Sequence, residues 1–203
     1  MVLATIYPDI AKNMVEKYNI IYADPPWKYR NDGVNGSAYK KYPQLTDNAL
    51  EFLPVHSIAA ENSVLFLWVT FPKLNEGLSV LRSWGFMFKT VAFVWVKFNL
   101  RVNTLFMGPG FYTRANCEIC LLGVRGRLPR LSKSVHSVIF AKRKKHSRKP
   151  GVTRKRIEKL YGDLPRIELF ATESCPGWIS TGFDVDGVDI RDFLIDKEYW
   201  KYG

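Results

Sequence analysis

The chain has 203 residues, 47% of them hydrophobic and 24% charged, with a formal net charge of +11. That length and composition support one buried core and exclude global disorder. No apolar run approaches the ~18 residues of a membrane-spanning helix, and no signal-peptide pattern opens the chain, so the sequence reads as one cytoplasmic domain over residues 1–203. Three cysteines exclude a disulfide framework, and the positive excess points to an anionic partner, nucleic acid first.

In chain order, Asn19–Ala23 (NIIYA) has the composition of a buried strand and ends at Asp24-Pro25-Pro26. Thr46 is placed to cap a short helix with Asp47 in its first turn and Leu50 facing the core. Ser63–Val69 (SVLFLWV) is a continuous apolar run, the pattern of a strand covered on both faces. Pro72 suits the first turn of a helix whose Leu74, Leu78 and Leu81 share a face, and Gly85 suits its end. Phe88–Val96, Glu118–Val124 and Val135–Ala141 read as further strands. Thr153–Tyr161 reads as a helix with Ile157, Leu160 and Tyr161 on one side. Arg166–Phe170 reads as a late strand and Trp178–Thr181 as a last one. Strands alternating with helices predict an α/β sheet covered by helices.

The charge is unevenly distributed. Residues 119–157 hold no Asp or Glu and carry all of Arg125, Arg127, Arg130, Lys133, Lys142, Arg143, Lys144, Lys145, Arg148, Lys149, Arg154, Lys155 and Arg156. Such a surface, with no offsetting charge, suits a polyanion, and Lys142, Arg143, Lys144, Lys145 and Arg148 are the candidate phosphate contacts. The Lys28–Leu45 segment interleaves Lys28, Arg30, Lys40 and Lys41 with Tyr29, Tyr39 and Tyr42, a mixture that suits unpaired bases and their phosphates. Segments 28–45 and 142–151 are expected to be mobile loops, the first of them a substrate lid.

Asp24-Pro25-Pro26-Trp27 follows directly on the first strand, at the end where open α/β sheets place their sites. Two prolines fix two φ angles and remove two N–H donors. Asp24 then offers an ionised acceptor and Trp27 a flat face, a combination able to hold an amino group on a heterocycle. By pattern alone, a proline-stiffened turn capped by aspartate accounts for these residues equally well. Cys117 and Cys120 form a Cys-x-x-Cys on a strand with no second pair, and His56, His136 and His146 lack ligand spacing, so no metal site is expected. Trp68, Trp84 and Trp95 read as core, and Cys175 as a turn residue.

The tetrapeptide does not stand alone. With Leu65-Phe66-Leu67-Trp68-Val69-Thr70, Trp84-Gly85-Phe86, His146-Ser147-Arg148-Lys149-Pro150 and Ile167-Glu168-Leu169-Phe170-Ala171, it resembles the MT-A family of adenine N6-methyltransferases. That family includes the large subunit of the mRNA adenosine methyltransferase and bacterial and phage DNA enzymes. The resemblance runs from about residue 19 to residue 187. It implies a Rossmann-like, mostly parallel methyltransferase sheet with circularly permuted motif order, which accounts for the lack of a Gly-rich fingerprint after the first strand. It also implies S-adenosylmethionine as methyl donor and Asp24, Pro25, Pro26 and Trp27 as the catalytic group. By the same resemblance the donor would lie against Asp24, Lys149, Glu168, Phe170 and Asp184. Lys28, Tyr29 and Arg30 join the basic segment as nucleic-acid contacts.

The implied reaction is methyl transfer to the exocyclic amine of adenine, flipped or unpaired, in DNA ahead of RNA and with low sequence specificity, by a monomer or homodimer. Alternatives are the same reaction on RNA, a catalytically silent nucleic-acid-binding paralogue, or a basic architectural protein. Two positions depart from the family pattern. Thr172 stands where an arginine is usual, and Phe183 replaces the amide of a Gly-Asn-Glu/Gln motif, with Asp184 beside it.

Overall fold

A computed structural model describes residues 17–29, 45–110, 112–143 and 148–199, with side chains through residue 194. Seven strands form one sheet in the order β5-β3-β4-β2-β1-β6-β7. They are β1 (Tyr18–Ala23), β2 (Ala59–Val69), β3 (Met87–Phe98), β4 (Cys117–Arg125), β5 (Val138–Lys142), β6 (Arg166–Leu169) and β7 (Ile179–Thr181). β4 runs antiparallel to both of its neighbours, and all other pairs are parallel. The helices are α1 (Asp47–Glu51), α2 (Leu74–Ser83), α3 (Val152–Tyr161) and α4 (Ile190–Tyr199).

Side chains alternate across a strand, so the uninterrupted apolar runs of β1 and β2 feed two cores. Ile21, Ala23, Leu65, Leu67 and Val69 pack on one face with Leu50 of α1, Val80 and Leu81 of α2 and Leu194 of α4. Ile20, Tyr22, Val64, Phe66 and Trp68 pack on the other with Ile157 and Tyr161 of α3. Tryptophans complete both cores and satisfy their own N–H groups. Trp84 donates to the Leu50 carbonyl at 2.7 Å, and Trp95 donates to the Ala141 carbonyl at 3.0 Å.

Local chemistry sets several boundaries as the sequence predicts. Thr46 Oγ1 accepts from the Ala49 amide at 3.2 Å to cap α1. Gly85, at φ 85°, turns the chain after α2. Other boundaries differ. Pro72 sits in a 3-10 turn (Phe71–Lys73) ahead of α2, and the buried face of α2 is Gly77, Val80 and Leu81, with Leu74 and Leu78 only half-buried. Gly77 lies close against Val69 of β2, and Leu74 and Leu78 pack on the same core from its edge. β5 begins at Val138, three residues later than its apolar run, and includes Lys142. α4 has no counterpart in the sequence reading, because only Ile190 and Leu194 of its described part are buried. Among the described residues no helix is long and apolar enough to cross a membrane.

Gly123 of β4 shows how tightly the sheet is covered. A Cβ there would come within 2.9 Å of Phe86 Cβ and 3.1 Å of both Leu81 methyl groups. Gly123→Ala is therefore expected to cost about 1–3 kcal/mol by overpacking, read as a lower denaturant midpoint at an unchanged slope.

Candidate functional site

β1 lies between β2 and β6, both parallel to it, and the chain leaves β1 toward one neighbour and returns to the other. That arrangement opens a crevice at the carboxyl ends of the strands. Asp24 is the first residue past β1, half-buried at the floor of the crevice. The two prolines end the ladder, and Pro25 is buried. Its carbonyl accepts the Trp27 amide at 2.9 Å, so the turn is closed by its own backbone and one lone pair of that oxygen stays available. The Trp27 ring is buried in the core, 6% exposed, and its indole N–H donates to the Trp68 carbonyl at 3.0 Å. Trp27 thus clamps the turn to the end of β2. Tyr29 is half-buried with its hydroxyl 2.6 Å from Thr70 Oγ1, while Lys28 is exposed.

A chain of four charges crosses the crevice. Lys149, 125 residues from Asp24 in sequence, places its Nζ 2.6 Å from Asp24 Oδ2. The same ammonium lies 3.1 Å from Glu118 Oε2, and Lys97 Nζ lies 2.5 Å from Glu118 Oε1. The Trp68 ring lies near Lys149, its centroid 5.6 Å from Nζ, and Trp95 near Lys97 at 5.1 Å. Burial and the charge of Glu118 hold the Asp24 carboxyl above the usual aspartate range, against the pull of Lys149. Burial also works upward on Glu118, but Lys149 and Lys97 overcome it and hold that group below its ordinary value. Burial works downward on Lys149, and the two carboxylates overcome it and hold the ammonium well above the ordinary lysine value.

A second cluster lies beyond β6. Glu168 is buried, and Arg154 of α3 grips it in a fork at 2.6 and 2.8 Å. Arg154 also reaches Glu173 at 3.3 Å, and Arg148 meets Glu173 at 3.0 Å. Burial pushes the Glu168 carboxyl up, with Arg154 opposing. Phe170, directly after β6, has φ 59°, the one non-glycine residue in the left-handed region among those described. Strain of this kind persists where the surroundings dictate it and gathers at functional sites. Phe183 and Asp184 are exposed in the turn after β7, and it is Asp186 that ties this turn, accepting from the Gly182 and Val188 amides.

The structure thus brings Asp24, Pro25, Lys149, Glu168 and Phe170 to one end of the sheet. The basic stretch is not the uncompensated surface its composition suggests. Lys149, mostly buried, and Arg154, buried, are paired with carboxylates, Arg148 is paired with Glu173, and Arg156 donates to the His136 and Val138 carbonyls at 2.7 Å. Lys142 is exposed at the end of β5, and Arg143 stacks on the Phe106 ring at 3.5 Å. Arg30, Lys144, Lys145 and His146 lie outside the described residues, as does most of the 28–45 segment. The cysteines described are all free, and no group of His, Cys, Asp and Glu among the described residues is arranged to hold a metal.

Lys97, Glu118, Arg154 and Glu173 were not legible as site residues. The available signal was a charge inside an apolar strand: Lys97 follows Phe93-Val94-Trp95-Val96, and Glu118 precedes Ile119-Cys120-Leu121. A charge so placed requires a buried partner.

Comparison with known proteins agrees with this architecture. The MT-A70 family model matches residues 18–184. The chain is 34% identical to the type II methyltransferase M.MunI of Mycoplasma sp, over 90% of this chain and 83% of that protein. It is 29% identical to the human N(6)-adenosine-methyltransferase catalytic subunit METTL3, over 92% of this chain but 31% of that one. A probable rice N(6)-adenosine-methyltransferase is 27% identical over 92% of this chain and 26% of its own length. The chain thus spans a quarter to a third of these eukaryotic relatives and most of the Mycoplasma one. With the Asp-Pro-Pro-Trp turn at the carboxyl end of β1 and a model match covering most of its length, the chain belongs to the MT-A70 family of adenine N6-methyltransferases.

Proposed function

We propose that the chain, as one methyltransferase domain, transfers a methyl group from S-adenosylmethionine to the N6 amine of adenine in DNA, flipped or unpaired, with low sequence specificity. The observation that carries this reading is the Asp24 carboxyl at the carboxyl end of β1, paired with Lys149 through one oxygen and still 26% exposed. The higher identity to the Mycoplasma type II methyltransferase, 34% against 29% for the human adenosine enzyme, favours DNA.

The residues present fit the donor. The buried hydroxyls of Thr153 at the start of α3 and Thr181 at the end of β7 make no hydrogen bond, and both lie at the same end of the sheet as Asp24. Lys149 has an N–H beyond its two carboxylates for an anionic group. In this reading Glu168, Phe170 and Asp184 would meet the rest of the donor, Glu168 with lone pairs remaining beside Arg154. The donor supplies a methyl group already activated on a sulfonium.

This chain's residues then orient and neutralise. The exocyclic amine is a poor nucleophile because its lone pair is delocalised into the ring. Asp24 and the Pro25 carbonyl accept its two hydrogens, which favours a pyramidal nitrogen and stabilises the positive charge that develops as the nitrogen takes the methyl group. The nitrogen then gives up one proton, for which the Asp24 carboxylate is the acceptor. Trp27 fixes this turn in place. Tyr29, with Lys28 and Arg30, carries the substrate strand on the 28–45 segment, which serves as the lid.

The deciding experiment incubates single-stranded DNA and matched RNA with isotope-labelled donor and digests the products to nucleosides for mass spectrometry. Labelled N6-methyladenine in the DNA is expected. Product in RNA alone would move the substrate to RNA, and donor binding without product would make the chain a silent paralogue. Neutralising Lys142, Arg143, Lys144 and Lys145 to Gln is expected to flatten the salt dependence of DNA binding by about 2–4 in slope, at about 0.9 per phosphate contact. An unchanged slope would show that the segment meets only solvent.

A further inference from the structure

We propose that Glu118 and Lys97 are positioning residues of the amine-accepting site: they hold the Lys149 ammonium shared between two carboxylates, so that Asp24 keeps an acceptor position open for the substrate. The proposal rests on the reading of Asp24 given above and extends it to two strands that do not touch the substrate turn.

The geometry is specific. The two oxygens of Glu118 are divided between the lysines, Oε1 to Lys97 and Oε2 to Lys149. Lys97 therefore fixes the rotation of the carboxylate that faces Lys149. The four side chains are mostly buried, 10% exposed for Lys149, 15% for Glu118, 16% for Lys97 and 26% for Asp24, and their formal charges sum to zero. A buried ammonium needs a counter-charge. With Glu118 gone, Asp24 becomes the nearest one, and Lys149 draws both of its oxygens into a tighter pair. An acceptor so engaged is a worse partner for an amine hydrogen. Trp68, on β2 between β1 and β4, sets the floor that Lys149 crosses to reach both carboxylates.

Other groups facing Asp24 do not supply this control. Glu168 of β6 is held by Arg154. Tyr22 of β1, Cys120 of β4 and Tyr29 beyond the turn all have their protons held by burial, above their ordinary values. Among the described residues, Lys149, Glu118 and Lys97 are the charges left to tune Asp24.

The test uses the full chain, an adenine-containing single-stranded DNA oligonucleotide and S-adenosylmethionine. Glu118→Gln is expected to lower kcat about tenfold or more, since small misplacements of a reacting group cost that much, with KM for the oligonucleotide little changed. In parallel, carbon NMR of labelled aspartate carboxyls, with Asp24 assigned by its loss in Asp24→Asn, follows the titration without any turnover. The Asp24 midpoint is expected to fall in Glu118→Gln, which loses a negative neighbour, and to rise in Lys97→Gln, which loses a positive one. Lys97→Arg, which keeps the charge, is expected to leave it in place. If one variant fails to fold, the sign in the other decides.

Midpoints unmoved, or moved the same way in both variants, would overturn the proposal. So would a Glu118→Gln enzyme with unchanged kcat. A wild-type protein that methylates neither DNA nor RNA would instead overturn the proposed reaction, and the NMR titration would still judge the charge chain.

Discussion

Asp24→Asn is expected to lower methyl transfer by about 10²–10³-fold, the loss typical of removing one preorganised group that stabilises developing charge. The amide has almost the shape of the carboxylate, but part of its edge is a donor, and it carries no charge to offset the positive nitrogen. Binding of DNA is expected to change little, because Asp24 lies in the crevice and is not among the candidate phosphate contacts. Single-turnover rates beside equilibrium binding separate the two effects, and a rate within tenfold of wild type would remove the role given to this carboxylate. The pH profile carries the same information. Burial and Glu118 raise the Asp24 carboxyl above its ordinary value. Activity that needs the ionised form is present at higher pH and lost as pH falls through that raised midpoint, so the acid limb lies above the usual aspartate range. In the Asn variant the limb should vanish from the residual activity.

The second large effect is on stability. Arg154→Leu removes the fork on Glu168 and leaves a carboxylate, 8% exposed, without its counter-charge. Breaking a buried pair from one side costs about 3–5 kcal/mol, which for a chain of this size lowers Tm by about 6–20 °C. The loss should depend on pH in a definite direction. Without Arg154, burial raises the Glu168 carboxyl further, so the folded state holds its proton more tightly than the unfolded state does. The variant is then least impaired at low pH, and the deficit grows as pH rises through that midpoint. A deficit equal at every pH would mean lost packing rather than an orphaned charge. Arg148→Leu is a useful contrast, since its pair with Glu173 is 39% and 29% exposed and such pairs contribute about 0–1 kcal/mol.

Much of the fold could be read from local pattern. Ile20–Ala23 and Val64–Val69 are apolar at consecutive positions, which fits a strand covered on both sides. Thr46 and Gly85 mark helix ends through chemistry confined to a few residues. The Asp-Pro-Pro-Trp turn is legible for the same reason, because its stiffness is covalent. Leu74, Leu78 and Leu81 of α2 do meet one core, but that Gly77 lies at its centre against Val69 of β2 depends on how near the helix lies to the sheet. Trp27 is buried with its indole N–H on the Trp68 carbonyl, a partner 41 residues away that no local pattern shows.

Sequence by itself determined which residue types were available and where strands would end: a carboxylate locked behind two prolines, apolar strands on either side, and an excess of cations in one stretch. Only the tertiary structure decided what those cations do. Net charge counts them alike, but folding carries Lys149 and Arg154 into low-polarity surroundings, where an ion persists only beside an opposite charge. It therefore matches them with Glu118 and Glu168 from two different strands and with Asp24 at the end of a third. Pairing of this kind depends on distance in space, and sequence separation holds no trace of it.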